Sequence, residues 1–209
     1  MTCNGNSVPR KLKVLCLHGY SQNKDFFKMK LGSLRKAVKN KVEFEFIDGP
    51  HIVENRREED HDGESRAWWL TESHNLGVGL TESIELVKTT LLEKGPFDGI
   101  LGFSQGAAFL GLLSSFIATK QIDAPDIKFV VLVAGYKFML HENSYTDVNT
   151  PSLHVIGDTD SVILKERSEE LMKHFTDFEL FSHPGGHYVP ASKEFRSRYV
   201  NFFDKFLKG

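Results

Sequence analysis

Apolar positions recur along this chain in two alternating rhythms, and the alternation predicts its elements. Lys11 to Leu17 is a short apolar run ending in the polar segment His18-Gly19-Tyr20-Ser21-Gln22-Asn23, the pattern of a strand running into a loop. Phe27, Leu31, Leu34 and Val38 follow at spacings of four, three and four, which places them on one helical face that needs a sheet to cover. Val42, Phe44 and Phe46 alternate with Glu43 and Glu45, so the second strand has one less buried face and belongs towards a sheet edge. Leu80, Ile84, Val87 and Leu91 repeat the helical spacing, and Gly95-Pro96 stops that helix before a strand from Phe97 to Leu101. Gln105 to Thr119 is apolar nearly all round and predicts a helix buried centrally. Phe129 to Ala134 is an uninterrupted β-favouring run, the pattern of a strand covered on both faces. Ser152 to Ile156 predicts another strand, and Leu164, Leu171 and Phe175 a helix with Ser168 in the intervening slot. Phe178 to Ser182 makes the last strand, and Phe195, Tyr199, Phe202 and Phe206 the face of a terminal helix.

The order β-α-β-loop-α-β-α-β-β-α-β-α predicts an α/β fold, a mostly parallel sheet of about six strands covered by helices on both faces. Residues 1–10 read as a flexible tail and 11–209 as a single domain, since no repeat, low-complexity segment or linker divides them. The one long irregular stretch is Asp48 to Gly79. Within it Glu54 to Arg66 is almost entirely charged, which reads as a solvated loop, and Ala67-Trp68-Trp69-Leu70 follows directly.

Composition narrows the function classes. With 40% hydrophobic and 26% charged residues the chain has the make-up of a soluble globular protein. A formal net charge of −2 gives no electrostatic reason to expect nucleic acid or an anionic membrane as partner. Cys3, in the polar tail, and Cys16, in the first strand, cannot make a disulfide framework, and Cys16 reads as a small buried hydrophobe. No signal-peptide core, membrane span or lipidation pattern is present, so the expectation is a cytosolic, or also nuclear, protein without integral membrane association.

The chemistry gathers on loops that follow strands. Gly102-Phe103-Ser104-Gln105-Gly106 between the Phe97–Leu101 strand and the next helix is a G-x-S-x-G elbow in the context it requires, and Ser104 is the candidate nucleophile. A serine needs an imidazole to take its proton and a carboxylate to hold that imidazole. Gly157 to Val162 and His183 to Pro190 supply both from loops beyond strand ends, in the chain order Ser, Asp, His. His187, after Gly185-Gly186, is preferred to His183 as base, and Asp160 to Asp158 as acid; Asp158 can instead cap or tie its loop. His154 lies within a strand, His18 reads as a loop brace, His51 has no partner in view, and His61, His74, His141 and His174 fall in polar or helical-surface contexts. The oxyanion requires two donors, read as the backbone N–H groups of Gln105 and Tyr20. Trp68 and Trp69 either anchor their loop on the core or line an acyl-binding surface. With Phe103, Tyr136 and Val189 they are the candidates for the acyl pocket. No H-E-x-x-H, C-x-x-C, P-loop or G-x-G-x-x-G occurs, and His61 between Asp60 and Asp62 sits in a charged loop, so no metal and no cofactor is expected.

Leu15 to Asn23, Asp48-Gly49-Pro50, Arg66-Ala67-Trp68-Trp69, the elbow through Ala107, Gly157-Asp158-Thr159-Asp160 and His183 to His187 together resemble one family, over nearly the whole chain. It is the FSH-type serine hydrolases, which include yeast FSH proteins and the animal ovarian cancer-associated gene 2 esterases, and the animal branch is the more similar. The resemblance implies an α/β-hydrolase fold without a large cap domain and hydrolysis of a small-molecule carboxylic ester, commonly of acyl chains, with no cofactor. By position it implies Ser104, Asp160 and His187 as nucleophile, acid and base. Some fungal relatives act as thioesterases, so an acyl thioesterase, on acyl-CoA or acylated protein, is the alternative. A catalytically silent binding module is the more distant one.

Overall fold

The computed structural model describes residues 10–54, 63–72, 75–139 and 144–207. In chain order, β1 (Leu12–Leu17) leads through α1 (Lys24–Lys30) and α2 (Gly32–Ala37) to β2 (Val42–Ile47). Four short strands follow, β3 (His51–Ile52), β4 (Arg66–Ala67), β5 (Leu70–Glu72) and β6 (Asn75–Val78), and then α3 (Leu80–Glu93). Strands and helices alternate in the remainder: β7 (Gly99–Phe103), α4 (Gln105–Ala118), β8 (Phe129–Val133), β9 (Ser152–Gly157), α5 (Lys165–Met172), β10 (Phe178–His183) and α6 (Arg196–Leu207).

Six of the strands form one parallel sheet in the order β10-β9-β8-β7-β1-β2. Successive side chains on a strand point to opposite faces, and the two faces meet different helices. Leu15 and Leu17 of β1 join Ile100, Leu132, Leu110 and Leu171 beneath α3, α4 and α5. Val14 and Cys16 join Leu101, Val131, Phe27, Leu34 and Phe203 beneath α1, α2 and α6. The all-round apolar α4 is buried along most of its length, and β2 is the edge strand its alternation predicts.

From β1 the chain crosses to β2 on one side, whereas β7 is followed by β8, β9 and β10 on the other. Between β1 and β7 the connections therefore diverge, and ligands of open α/β sheets bind in the crevice so formed at the carboxyl ends of the strands. Register brings the ends level: Leu17 lies opposite both Gly102 and Ile47, and Gly157 lies opposite His183.

Two expectations change in detail. The helix read from Phe27 to Val38 is two short helices meeting at Leu31, next to Gly32. Leu31 still donates its N–H to the carbonyl of Phe27 at 2.9 Å and accepts from Arg35 at 2.8 Å, so Phe27, Leu31, Leu34 and Val38 all remain buried in one cluster. The Asp48–Gly79 stretch holds two antiparallel ribbons, β3 with β4 and β5 with β6. Strands of two to four residues are too short to show an alternating pattern. Most of its charged run, residues 55–62, lies outside the described residues, as do residues 1–9 with Cys3. No helix among the described residues is long and apolar enough to cross a membrane.

Asp98 secures the opening of β7. Its buried carboxylate accepts from Arg10 at 2.8 Å and from the Lys13 N–H at 2.9 Å, with Lys128 at 3.1 Å. Burial pushes this carboxyl up, but the Lys13 N–H, Lys128 and Arg10 together outweigh it and hold the group below its ordinary value. A depressed carboxyl adds stability above its unfolded pKa and loses it as the pH falls through the folded one. Asp98→Asn is therefore expected to lose about 2 kcal/mol at neutral pH, with the gap to the parent closing in strong acid. Urea melts at the two extremes check this, and a gap independent of pH contradicts it.

Candidate active site

Between the last residue of β7 and the first of α4 stands Ser104, with φ 53° and ψ −116°. Side-chain-bearing residues avoid this region of backbone space, so neighbours must impose it. The Ser104 N–H donates to the Val133 carbonyl at 2.9 Å, and its carbonyl accepts from Ala108 at 2.9 Å. The flanking glycines are steric necessities: a Cβ at 102 would lie 2.5 Å from the Gly106 oxygen, and one at 106 would lie 2.4 Å from the Leu17 oxygen. The turn thus presents the hydroxyl at the mouth of the β1–β7 crevice.

Two neighbouring loops bring a carboxylate and an imidazole to it. His187, after β10, has Nε2 3.0 Å from Ser104 Oγ and Nδ1 2.7 Å from Asp160 Oδ2. Asp160, after β9, is buried, and its other oxygen accepts the N–H groups of Val162 and Ile163, each at 2.9 Å. A carboxylate can only accept, so it holds the imidazole proton on Nδ1 and leaves the Nε2 lone pair facing the serine hydroxyl. The Phe103 ring, 4.9 Å from the imidazole centroid, walls that imidazole on another side. The loops are tied to each other by Asp158 N–H to the His183 carbonyl at 2.8 Å and Thr159 N–H to the Gly185 carbonyl at 3.2 Å.

The competing residues, His154 aside, have other partners. Asp158 is exposed, bonded to Lys165 at 2.8 Å and Ser182 at 2.6 Å, and these bonds lower its pKa. His183 is buried, its Nδ1 accepting from Gly185 N–H at 3.2 Å, and burial pushes its pKa down. His18 is a brace: Nδ1–H donates to the Gly19 carbonyl, and Nε2 accepts from the Gly49 N–H, both at 2.8 Å. His51 lies 2.7 Å from the Gly79 carbonyl, and buried His154 is driven down to about 3 by desolvation. His61 with Asp60 and Asp62, His74 and His141 lie outside the described residues.

A cavity of about 340 Å³ opens beside Ser104 and His187. Phe103 and Val189 line it, together with Tyr20, Phe27, Val162 and Tyr188. Trp68, Trp69 and Tyr136 are not among its walls, which corrects their reading as pocket candidates. All three pack on the α4 side of the sheet, whereas Phe27 and Phe103 belong to the α1 side. Trp68 is fully buried, stacked on Phe109 with centroids 5.4 Å apart, and its indole N–H donates to the His18 carbonyl at 2.8 Å. Trp69 packs against Phe138 at 4.5 Å, and half-buried Tyr136 lies under Arg167 at 4.6 Å. The anchoring reading holds for both indoles. Their anchor is Gln105, whose side chain accepts the Trp68 N–H and donates to the Trp69 carbonyl, each at 2.9 Å.

Residues 7–199 match the family described as Serine hydrolase (FSH1). The chain belongs to this serine hydrolase family. The FSH1-family chain is 39% identical over 227 residues to Esterase OVCA2 of Danio rerio, covering 96% of this chain and 99% of that protein. Against Esterase OVCA2 of Homo sapiens it is 35% identical over 226 residues, covering 97% of this chain and 100% of that protein. The crystal structure of esterase PE8 superposes with a TM-score of 0.68 at 18% identity, over 93% of this chain and 92% of that one. The fold is that of the α/β-hydrolases, with no large cap among the described residues, and the chain is a carboxylic ester hydrolase.

Proposed function

We propose that this serine hydrolase cleaves apolar acyl esters of medium or long chain by a two-step acyl-enzyme route, with Ser104 as nucleophile, His187 as base and Asp160 as acid. The observation that carries the reading is the unbroken line from Asp160 Oδ2 through His187 to Ser104 Oγ, at 2.7 and 3.0 Å. Ser104 Oγ attacks the ester carbonyl as its proton passes to His187 Nε2, and the Asp160 carboxylate stabilises the imidazolium. The imidazolium then protonates the departing alcohol. Water, activated by the same Nε2, releases the acid and restores Ser104.

The oxyanion is assigned to the N–H groups of Gln105 and Tyr20. Gln105 is the first residue of α4, so its N–H has no acceptor within the helix and the helix dipole favours negative charge there. The Gly19 N–H is already given to Gln22 Oε1 at 3.0 Å, which leaves the Tyr20 N–H as the next donor on that loop. Phe27, Phe103, Val162 and Val189 supply an apolar wall for the acyl chain.

On p-nitrophenyl esters, kcat/KM is expected to rise about fourfold per added methylene until the cavity is filled. Activity is also expected to fall on the acid side, because a protonated His187 has no lone pair with which to accept the serine proton. A rate that does not fall in acid would remove the imidazole base. Matched oxygen esters and thioesters run in parallel assign the leaving group.

A further inference from the structure

We propose that Lys30 makes this site selective for esters carrying an anionic group, a carboxylate or a phosphate, remote from the scissile carbonyl. The inference rests on the esterase reading above and names a substrate class for it. Among the described residues that line the cavity, Lys30 carries the one permanent charge, and no carboxylate is present to balance it. Lys30 closes α1 one turn after Phe27, so the two share a helical face. Phe27 forms part of the apolar wall, and the exposed Lys30 prolongs that wall to the mouth.

The Lys30 Nζ stands 4.8 Å from the ring centroid of Phe26, and no carboxylate among the described residues pairs with it. Lys24 at the start of the same helix has Asp48 at 3.3 Å, and Lys165 beyond the cavity has Asp158 at 2.8 Å; Lys28, also on α1, pairs with no carboxylate among the described residues but does not line the cavity. A cation at the edge of low-dielectric walls focuses its field into the space they enclose. A purely hydrocarbon ester gains nothing from that field. An ester with a distant negative charge gains both the apolar contact of its chain and a partner for its charge at the mouth.

The test uses two matched pairs and Lys30→Met, which keeps the apolar stem and removes the charge. The acyl-side pair is the mono-p-nitrophenyl ester of suberic acid against p-nitrophenyl octanoate. The alcohol-side pair is 1-octanoylglycerol 3-phosphate against 1-octanoylglycerol, followed by release of octanoate. In at least one pair, the charged-to-neutral ratio of kcat/KM is expected to fall about fivefold in Lys30→Met at low ionic strength, through KM. The parent ratio should shrink as salt is added, and Lys30→Arg should restore it. The pair that responds shows which side of the ester carries the anion. Unchanged ratios in both pairs, or equal losses on charged and neutral members, overturn the proposal. Failure of the parent to hydrolyse any octanoyl ester would instead overturn the esterase reading.

Discussion

Replacing Ser104 with alanine is expected to lower kcat on the order of 10⁶-fold and to abolish covalent labelling by a fluorophosphonate. The two readouts depend on the same oxygen. Fluoride leaves a fluorophosphonate only when an activated nucleophile attacks phosphorus, and the activation here comes from His187 Nε2 at 3.0 Å. The substitution leaves the frame intact. The strained backbone at 104 is held by main-chain bonds to Val133 and Ala108 and by the glycines on either side. Its hydroxyl bonds to His187 across the cavity rather than into the core. The thermal midpoint is therefore expected to stay within a few degrees of the parent, separating lost chemistry from lost folding. Labelling that persists in a folded Ser104→Ala protein would place the nucleophile elsewhere.

The site and its surroundings were unequally legible in the sequence, for a physical reason. Strand and helix periods are local, so the alternating order, the edge position of β2 and the central burial of α4 could be read directly. The loops bearing Ser104, Asp160 and His187 are short and begin at strand ends, and a parallel sheet sets those ends side by side. Trp68 and Trp69 show the opposite case. Whether an indole lines a cavity or fills the core depends on which side of the sheet its loop folds over. Here the side chain of Gln105, 37 residues further along the chain than Trp68, decides that through two hydrogen bonds. No spacing pattern records such a bond. Phe27 and Lys30 were hidden differently: the helical period marks Phe27 as apolar, but not that one end of its face stops covering the sheet and turns to the crevice.

The second large effect is expected at Asp160, and it turns on one proton. In Asp160→Asn the side-chain oxygen is retained where the N–H groups of Val162 and Ile163 approach at 2.9 Å, because those donors need an acceptor. The amide nitrogen then occupies the place of Oδ2, 2.7 Å from His187 Nδ1, and presents a donor where an acceptor stood. The imidazole answers by carrying its proton on Nε2, so that an N–H, not a lone pair, faces Ser104. A base that already holds its proton cannot take another, and turnover is expected to fall about 10⁴-fold, judged by other triads. Size and shape are nearly unchanged, so the loss is one of tautomer rather than of packing. Asp158→Asn is the matching control in the same loop. That carboxylate faces Lys165 and Ser182 at the surface, and its replacement is expected to change turnover by about twofold or less. Comparable losses from the two substitutions would strip Asp160 of its role, since a tautomer effect can come only from the carboxylate that bonds the imidazole, 2.7 Å from His187 Nδ1.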